Sequence, residues 1–385
     1  MKRELIIALS IAGLWLGSAC ERVDHSGDRP SAGSMDVWPD EVAQILSHLP
    51  IGVQQMEEVK DAVGSSSGNG YDEEYMMKDL FTAPGAGVGD DGTKAREAAY
   101  ERPLKDLFAE YLASTTTKAG MSAEEYMAAL ESSGLQIYWP YYDNWDGKSM
   151  PVITYDPEDG SSRNTGWTME NGEIVELVVD EALAMERPVW VVNRNDDSVY
   201  SSLEMRRRED PSWGSGSGGI TITKSDAPLR TLILKDFKAN RNYDPWFSGA
   251  SEFFIKCAAV ENFTASTEAE LRLYEPSVTD FMVVVRRKEI GQVRPFNAVL
   301  VSEWTDQLET CAFMITEDDG GTVTSWKCSA EVKIKSKTYG FDMNIPFNSR
   351  DDIVWRGQLS GKYFEKYNRE TGHFGDVDLT FEILE

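Results

Sequence analysis

Histidine is scarce in this chain: 385 residues contain three, His25, His48 and His373. No two share the spacing of a metal-binding pair, which argues against a histidine-based zinc site or metalloprotease. A serine triad would have to recruit His48 or His373, and no Gly-x-Ser-x-Gly elbow exists to carry its nucleophile. Nucleotide loops are missing as well. Gly147-Lys148-Ser149 has the ending of a phosphate loop, but Tyr142 stands where the leading glycine belongs. Gly85, Gly87 and Gly89 follow a helical stretch, not a strand, so no dinucleotide fold is expected. A calcium-hand loop around Gly147 fails at the same Tyr142. No apolar run reaches the ~20 residues needed to span a bilayer. Basic residues are in deficit, 38 Lys and Arg against 65 Asp and Glu for a formal charge of −27. Such a surface repels phosphate backbones, so nucleic acid is not an expected partner. It favours solubility and, more specifically, weak cation binding.

The start of the chain is not acidic. Lys2 and Arg3 precede an apolar run from Leu5 to Leu16, and small residues at 17–19 lead to Cys20. The run has the length of a signal-peptide core, roughly 7–15 residues. The junction resembles the lipobox of bacterial lipoproteins, except that Gly17 occupies the position where leucine is usual. The resemblance implies a signal peptide over 1–19 and a lipid-bearing Cys20 as mature N-terminus. More than one acyl chain is enough for stable anchoring. Localisation would be the bacterial cell envelope, in the outer membrane by this resemblance, with either face open. Residues 20–36, polar and rich in Gly, Pro and Ser, read as a flexible tether.

Hydrophobic residues make up 41% and aromatics 11% of the chain, which argues for folded domains. Over 37–134 the periodicity is helical. Pro39 opens a stripe of Val42, Ile45, Leu46 and Leu49, and Val53, Met56, Val59 and Val63 form a second. Asp72 is the expected cap of a short helix through Phe81. Leu104, Leu107, Phe108, Tyr111 and Leu112 make the strongest stripe. Ser122 with Glu125 forms a capping box for the next helix.

From 135 to 198 the texture becomes β-rich. LQIYW, PVITY, EIVELVVD and PVWVV predict a short antiparallel, four-stranded segment packed on the helices. Tyr141, Tyr142 and Trp145 share a loop with Asp143 and Asp146, a set suited either to stacking a sugar ring or to folding back onto the core. Asp197-Ser198-Val199 resembles the O-glycosylation acceptor of exported Bacteroidetes-type proteins. Residues 199–219 read as a linker.

The remaining 220–385 contain eight to ten alternating segments and predict an all-β sandwich. The expected fold class is therefore α+β and multidomain. If Asp319-Gly320 made a two-residue hairpin turn, Cys311 would face Cys328 across the strands, within reach of a disulfide; two separate buried thiols are the alternative, and Cys257 is expected free. Leu229–Cys257, with Asp236 and Asp244 in the connection and Gly249-Ala250-Ser251-Glu252-Phe253-Phe254-Ile255-Lys256 after it, is similar to the first two strands of the calcium- and phospholipid-binding sandwiches described in protein kinase C. That resemblance covers under a tenth of the chain. It implies Asp236, Asp244 and Glu252 as metal candidates and calcium as the cofactor, with no clear counterpart of the family's later paired aspartates.

The whole resembles uncharacterised Bacteroidetes-type lipoproteins, and the expected role is non-catalytic: binding or scaffolding of glycan, protein or envelope components, held to the membrane by the N-terminal lipid. The alternatives are a carboxylate-pair glycan hydrolase and a calcium-tuned adhesion module.

Overall fold

Pro39 fixes the first turn of a helix that runs over Pro39–Ser47 (α1) and buries Val42, Ala43 and Leu46. In this computed structural model, residues 37–65, 72–81, 100–115, 121–195, 206–207, 211 and 229–385 are described. The signal segment, Cys20, the tether, the Asp197–Val199 tripeptide and most of the linker lie outside them. Further helices are α2 (Val53–Gly64), α3 (Met77–Leu80), α4 (Leu104–Ser114) and α5 (Ala123–Ser132). The expected capping box forms at α5, Ser122 N donating to Glu125 Oε2 at 2.8 Å and Glu125 N to Ser122 Oγ at 3.2 Å.

These helices share one core with a sheet of six strands, β1 (Glu74–Met76), β2 (Leu135–Tyr138), β3 (Val152–Tyr155), β4 (Asn164–Glu170), β5 (Glu173–Val179) and β6 (Val189–Arg194), in the order β1-β2-β6-β3-β4-β5. Two sequence expectations change here. Asp72 does not cap a helix; the chain enters β1 and pairs with β2, and the buried Glu74 carboxylate accepts from Gln136 and Asn193. Tertiary hydrogen bonding overrides the local helical pattern. The sheet gains β1 and β4 over the four expected strands. Gly166 makes β4 fit, because a Cβ there would lie 2.3 Å from Val179 Cγ2. All pairings are antiparallel except β3 with β6. Trp139 and Trp190 pack edge-on beneath the helices, 5.9 Å between centroids. A short α6 (Glu181–Glu186), capped by Asp180, precedes β6.

The C-terminal half is the expected sandwich. Its strands are β7 (Arg230–Ala239), β8 (Ser251–Ala259), β9 (Ser277–Val285), β10 (Arg294–Trp304), β11 (Leu308–Glu317), β12 (Val323–Ile334), β13 (Lys337–Asn348), β14 (Asp352–Ser360), β15 (Thr371–Phe374) and β16 (Val377–Leu384), with a helix α7 (Gly361–Lys366). One sheet has the order β10-β7-β16-β15. The other runs β13-β12-β11-β8-β9, with β14 also paired to β11. Both contribute to a single core. Between β8 and β9 the chain makes a 3₁₀ turn over Glu268–Leu273.

The expected Cys311–Cys328 pairing does not form. A two-residue turn would set Thr316 and Glu317 against Val323 and Thr322, but β14 takes those places, Ile353 and Asp352 being the partners. β12 meets β11 at Leu308 and Thr310 and then diverges to pair with β13. Cys311 opposes Leu359, Cys328 opposes Met343, and Cys257, Cys311 and Cys328 are free thiols.

The two halves meet along the connection 240–250 between β7 and β8. Trp246 and Phe247 are buried among Tyr138, Tyr141, Val152, Val179, Val189 and Val191 of the N-terminal unit. Trp246 Nε1 donates to Ser162 O at 2.9 Å and Ser248 Oγ to Asp156 Oδ2 at 2.9 Å. Gly249 has φ +128°, and a Cβ there would lie 2.7 Å from Glu74 Oε1. Beside this contact Glu73 is 2% exposed with φ +78°. Burial pushes its carboxyl up to about 7 from 4.5, against the opposing pull of Arg286 and Lys288 and with the support of Asp143 and Glu289. The folded chain therefore holds a proton that the unfolded chain releases near the ordinary value. Stability from this group is fully present below the ordinary value and is lost as pH rises to about 7. Glu73→Gln is expected to flatten that part of the pH profile and to stabilise the protein at pH 8 by roughly 2–3 kcal/mol, read from urea midpoints at pH 5.5 and 8. An unchanged slope would count against Glu73 as its source.

Candidate metal centre

Where the 240–250 connection re-enters the sandwich it brings Asp244 beside Glu252, on β8, and Glu317, the last residue of β11. Each supplies a carboxylate oxygen, and the three oxygens lie within 4.8 Å of one another. The local folding explains the convergence. Antiparallel pairing sets Glu317 against Phe253 on one side and Asp352 on the other. Asp318 N donates to Glu252 O at 3.0 Å, tying the start of the next loop to β8. Ser251 Oγ accepts from Tyr243 N at 2.9 Å and bonds Asn242, which folds the connection back over β8.

More carboxylates surround these three. Asp318 Oδ1 accepts from Gly320 N at 3.0 Å and Asn348 Nδ2 at 2.8 Å, and Asp351 Oδ2 accepts from Asn348 N at 2.8 Å. Their other oxygens are buried without a donor, as is Asp244 Oδ2. Glu317 is the extreme case. It is 0% exposed, and neither carboxylate oxygen receives a hydrogen bond. A buried carboxylate without donors is costly unless it is neutralised by a proton or a cation. Burial and the charge of Asp244 accordingly hold the Glu317 carboxyl far above the usual range. Burial, then the charges of Asp244, Asp352, Asp351 and Asp318, push Asp319 up to about 7. Burial also brings Asp351 to about 6. A counter-charge is offered by Arg287, 8% exposed, whose Nη2 donates to the main-chain oxygen of Asp244 at 2.7 Å.

Donor chemistry selects the ion. The three candidate ligands all offer carboxylate oxygens, the donor type that suits calcium with its six to eight oxygens at ~2.3–2.6 Å. The cluster contains no imidazole or thiolate of the kind zinc and copper prefer; the described histidines are elsewhere, His48 after α1 and His373 on β15 against Asp378.

The sequence-predicted residues divide cleanly. Asp244 and Glu252 are brought together. Asp236 is not: it sits on β7 in the opposite sheet, paired with Thr380 and Pro295. Glu317 was not predicted, nor were Asp318, Asp319, Asp351 and Asp352 as the later acidic pairs. Their signal was present as two acidic runs closing one strand and opening another. Tyr141, Tyr142 and Trp145 take the inward alternative. Tyr141 is 8% exposed and donates to Glu181 Oε1 at 3.0 Å. Tyr142 lies against Gly64 and under Lys288. Trp145 packs on Trp139 and donates to Ser149 O at 2.8 Å. Core packing and internal hydrogen bonds hold the three rings in place, with Tyr142 and Trp145 half-buried. Comparison of the chain with protein-family models, with curated proteins and with solved structures finds no match.

Proposed function

We propose that this chain is a lipid-anchored bacterial envelope protein with a non-catalytic binding role, and that its C-terminal sandwich is a calcium-dependent module. The lipid anchor rests on Cys20 and the leader before it. The calcium reading rests on one observation: Glu317, fully buried and without a hydrogen-bond donor, is set beside Asp244 and Glu252. A cation among these oxygens supplies the missing counter-charge. The same burial disfavours glycan hydrolysis. A retaining pair about 5 Å apart needs a carboxyl that reaches a sugar, and Glu317 is closed off by β8 and β14.

Modules that work outside the cytoplasm bind calcium at about 10⁻⁴–10⁻³ M. At ~20-fold excess over such a constant, binding stabilises by about 2 kcal/mol, so the melting temperature is expected to rise by roughly 5 °C between chelator and calcium. Scanning calorimetry in both buffers, with an isothermal titration, checks this. Identical transitions and no heat of binding would remove the calcium reading.

A further inference from the structure

The 240–250 connection serves two places at once. Asp244 belongs to the metal centre, and two residues later Trp246 and Phe247 are buried against the N-terminal sheet. Between them stands Pro245, whose ring fixes φ, and Ser248 N donates to Pro245 O at 3.0 Å to close a turn over the two aromatics. The link between carboxylate and anchor is short and stiff. Arg287 makes a second link. Its Nη2 holds the Asp244 main-chain oxygen at 2.7 Å, and its Nη1 pairs with Glu181 Oε1 of the N-terminal unit at 3.2 Å. Glu181 in turn receives the Tyr141 hydroxyl.

We propose that cation occupancy at Asp244, Glu252 and Glu317 sets how firmly the N-terminal unit is held on the sandwich. The inference rests on the cation reading of those residues. Without a cation only the chain itself, through Ser251 and Arg287, holds Asp244 beside β8 and β11. A cation draws it in and fixes Pro245, the two anchoring aromatics, and Arg287 with them. Coupling of this kind is reciprocal: whatever weakens the anchor weakens the cation site by the same factor.

The test uses the full chain, titrated with calcium chloride in a calorimeter while amide hydrogen exchange is followed by mass spectrometry. Calcium is expected to slow exchange in 138–156 and 176–193, which belong to the N-terminal unit and carry none of the proposed ligands. Trp246→Ala is expected to lower calcium affinity about tenfold, and Ser248→Ala to lower it by a smaller factor in the same direction, although neither side chain is a ligand. Calcium binding with unchanged exchange in those segments, and unchanged affinity in both variants, overturns the coupling and leaves the cation reading standing. No calcium heat in the wild type overturns both. If Trp246→Ala does not fold, Ser248→Ala and the wild-type exchange decide.

Discussion

Glu317→Gln is expected to raise the stability of the cation-free protein and to erase its response to calcium. In the cation-free chain the carboxyl is buried without a donor and keeps its proton far above the usual range. Retaining that proton at pH 7, when the unfolded chain would release it near 4.5, costs about 3 kcal/mol. Glutamine has nearly the same shape, carries no charge, and brings an amide donor that can face the orphaned Asp244 Oδ2. The variant should therefore gain roughly 2–3 kcal/mol in chelator, a rise of about 5–10 °C. A raised carboxyl withholds stability above its ordinary value, so the gain is large at pH 7 and fades toward pH 4. The same substitution removes the central anionic ligand, so calcium that shifts the wild type should leave the variant unmoved. A destabilised variant that still responds to calcium would contradict the placement of the ion at this residue. Opposite signs for stability and binding are what separate a ligand from an ordinary core residue.

Phe313→Ala is expected to cost about 3–5 kcal/mol, a large part of the ~5–15 kcal/mol that holds a typical domain. Phe313 lies on β11, is 0% exposed, and meets Trp355 of β14 at 6.1 Å, Phe374 of β15 at 6.4 Å and Phe381 of β16 at 5.6 Å between centroids. It is one of the places at which aromatic rings of both sheets meet. Truncation leaves a cavity that rigid strands on either side cannot collapse into. Urea unfolding should show the midpoint falling with little change in slope. A loss under about 1 kcal/mol would mean that the sheets do not close on this ring.

Helices and sandwich strands were legible because their patterns are local. The Val42-Ile45-Leu46-Leu49 stripe and the Ser122–Glu125 box need only two turns and one turn of neighbours to specify them. β1 was not legible, since its reason for being extended is Gln136 and Asn193, far along the chain. The cysteine register failed for a related cause: the turn residues at 318–321 look like a tight hairpin, but β14, some 40 residues on, claims the flank of β11. The metal centre was half legible. Asp244 and Glu252 stand near each other in sequence. Glu317 joins them through strand pairing alone, and Asp236 is removed from them because β7 and β8 belong to opposite sheets.

The position of β16 governs when the C-terminal half can assemble. This last strand lies between β7, the first of the sandwich, and β15. Until residues 377–384 arrive, β7 lacks a neighbour along one edge and the core lacks Phe381. Contacts that span the sandwich from its first strand to its last are slow to form, and a chain emerging from its first residue onward cannot complete them early. The order of strands thus keeps this half unfinished until residues 377–384 have been made. If the proposed leader directs export as an extended chain, that delay keeps this half threadable until residues 377–384 have been made.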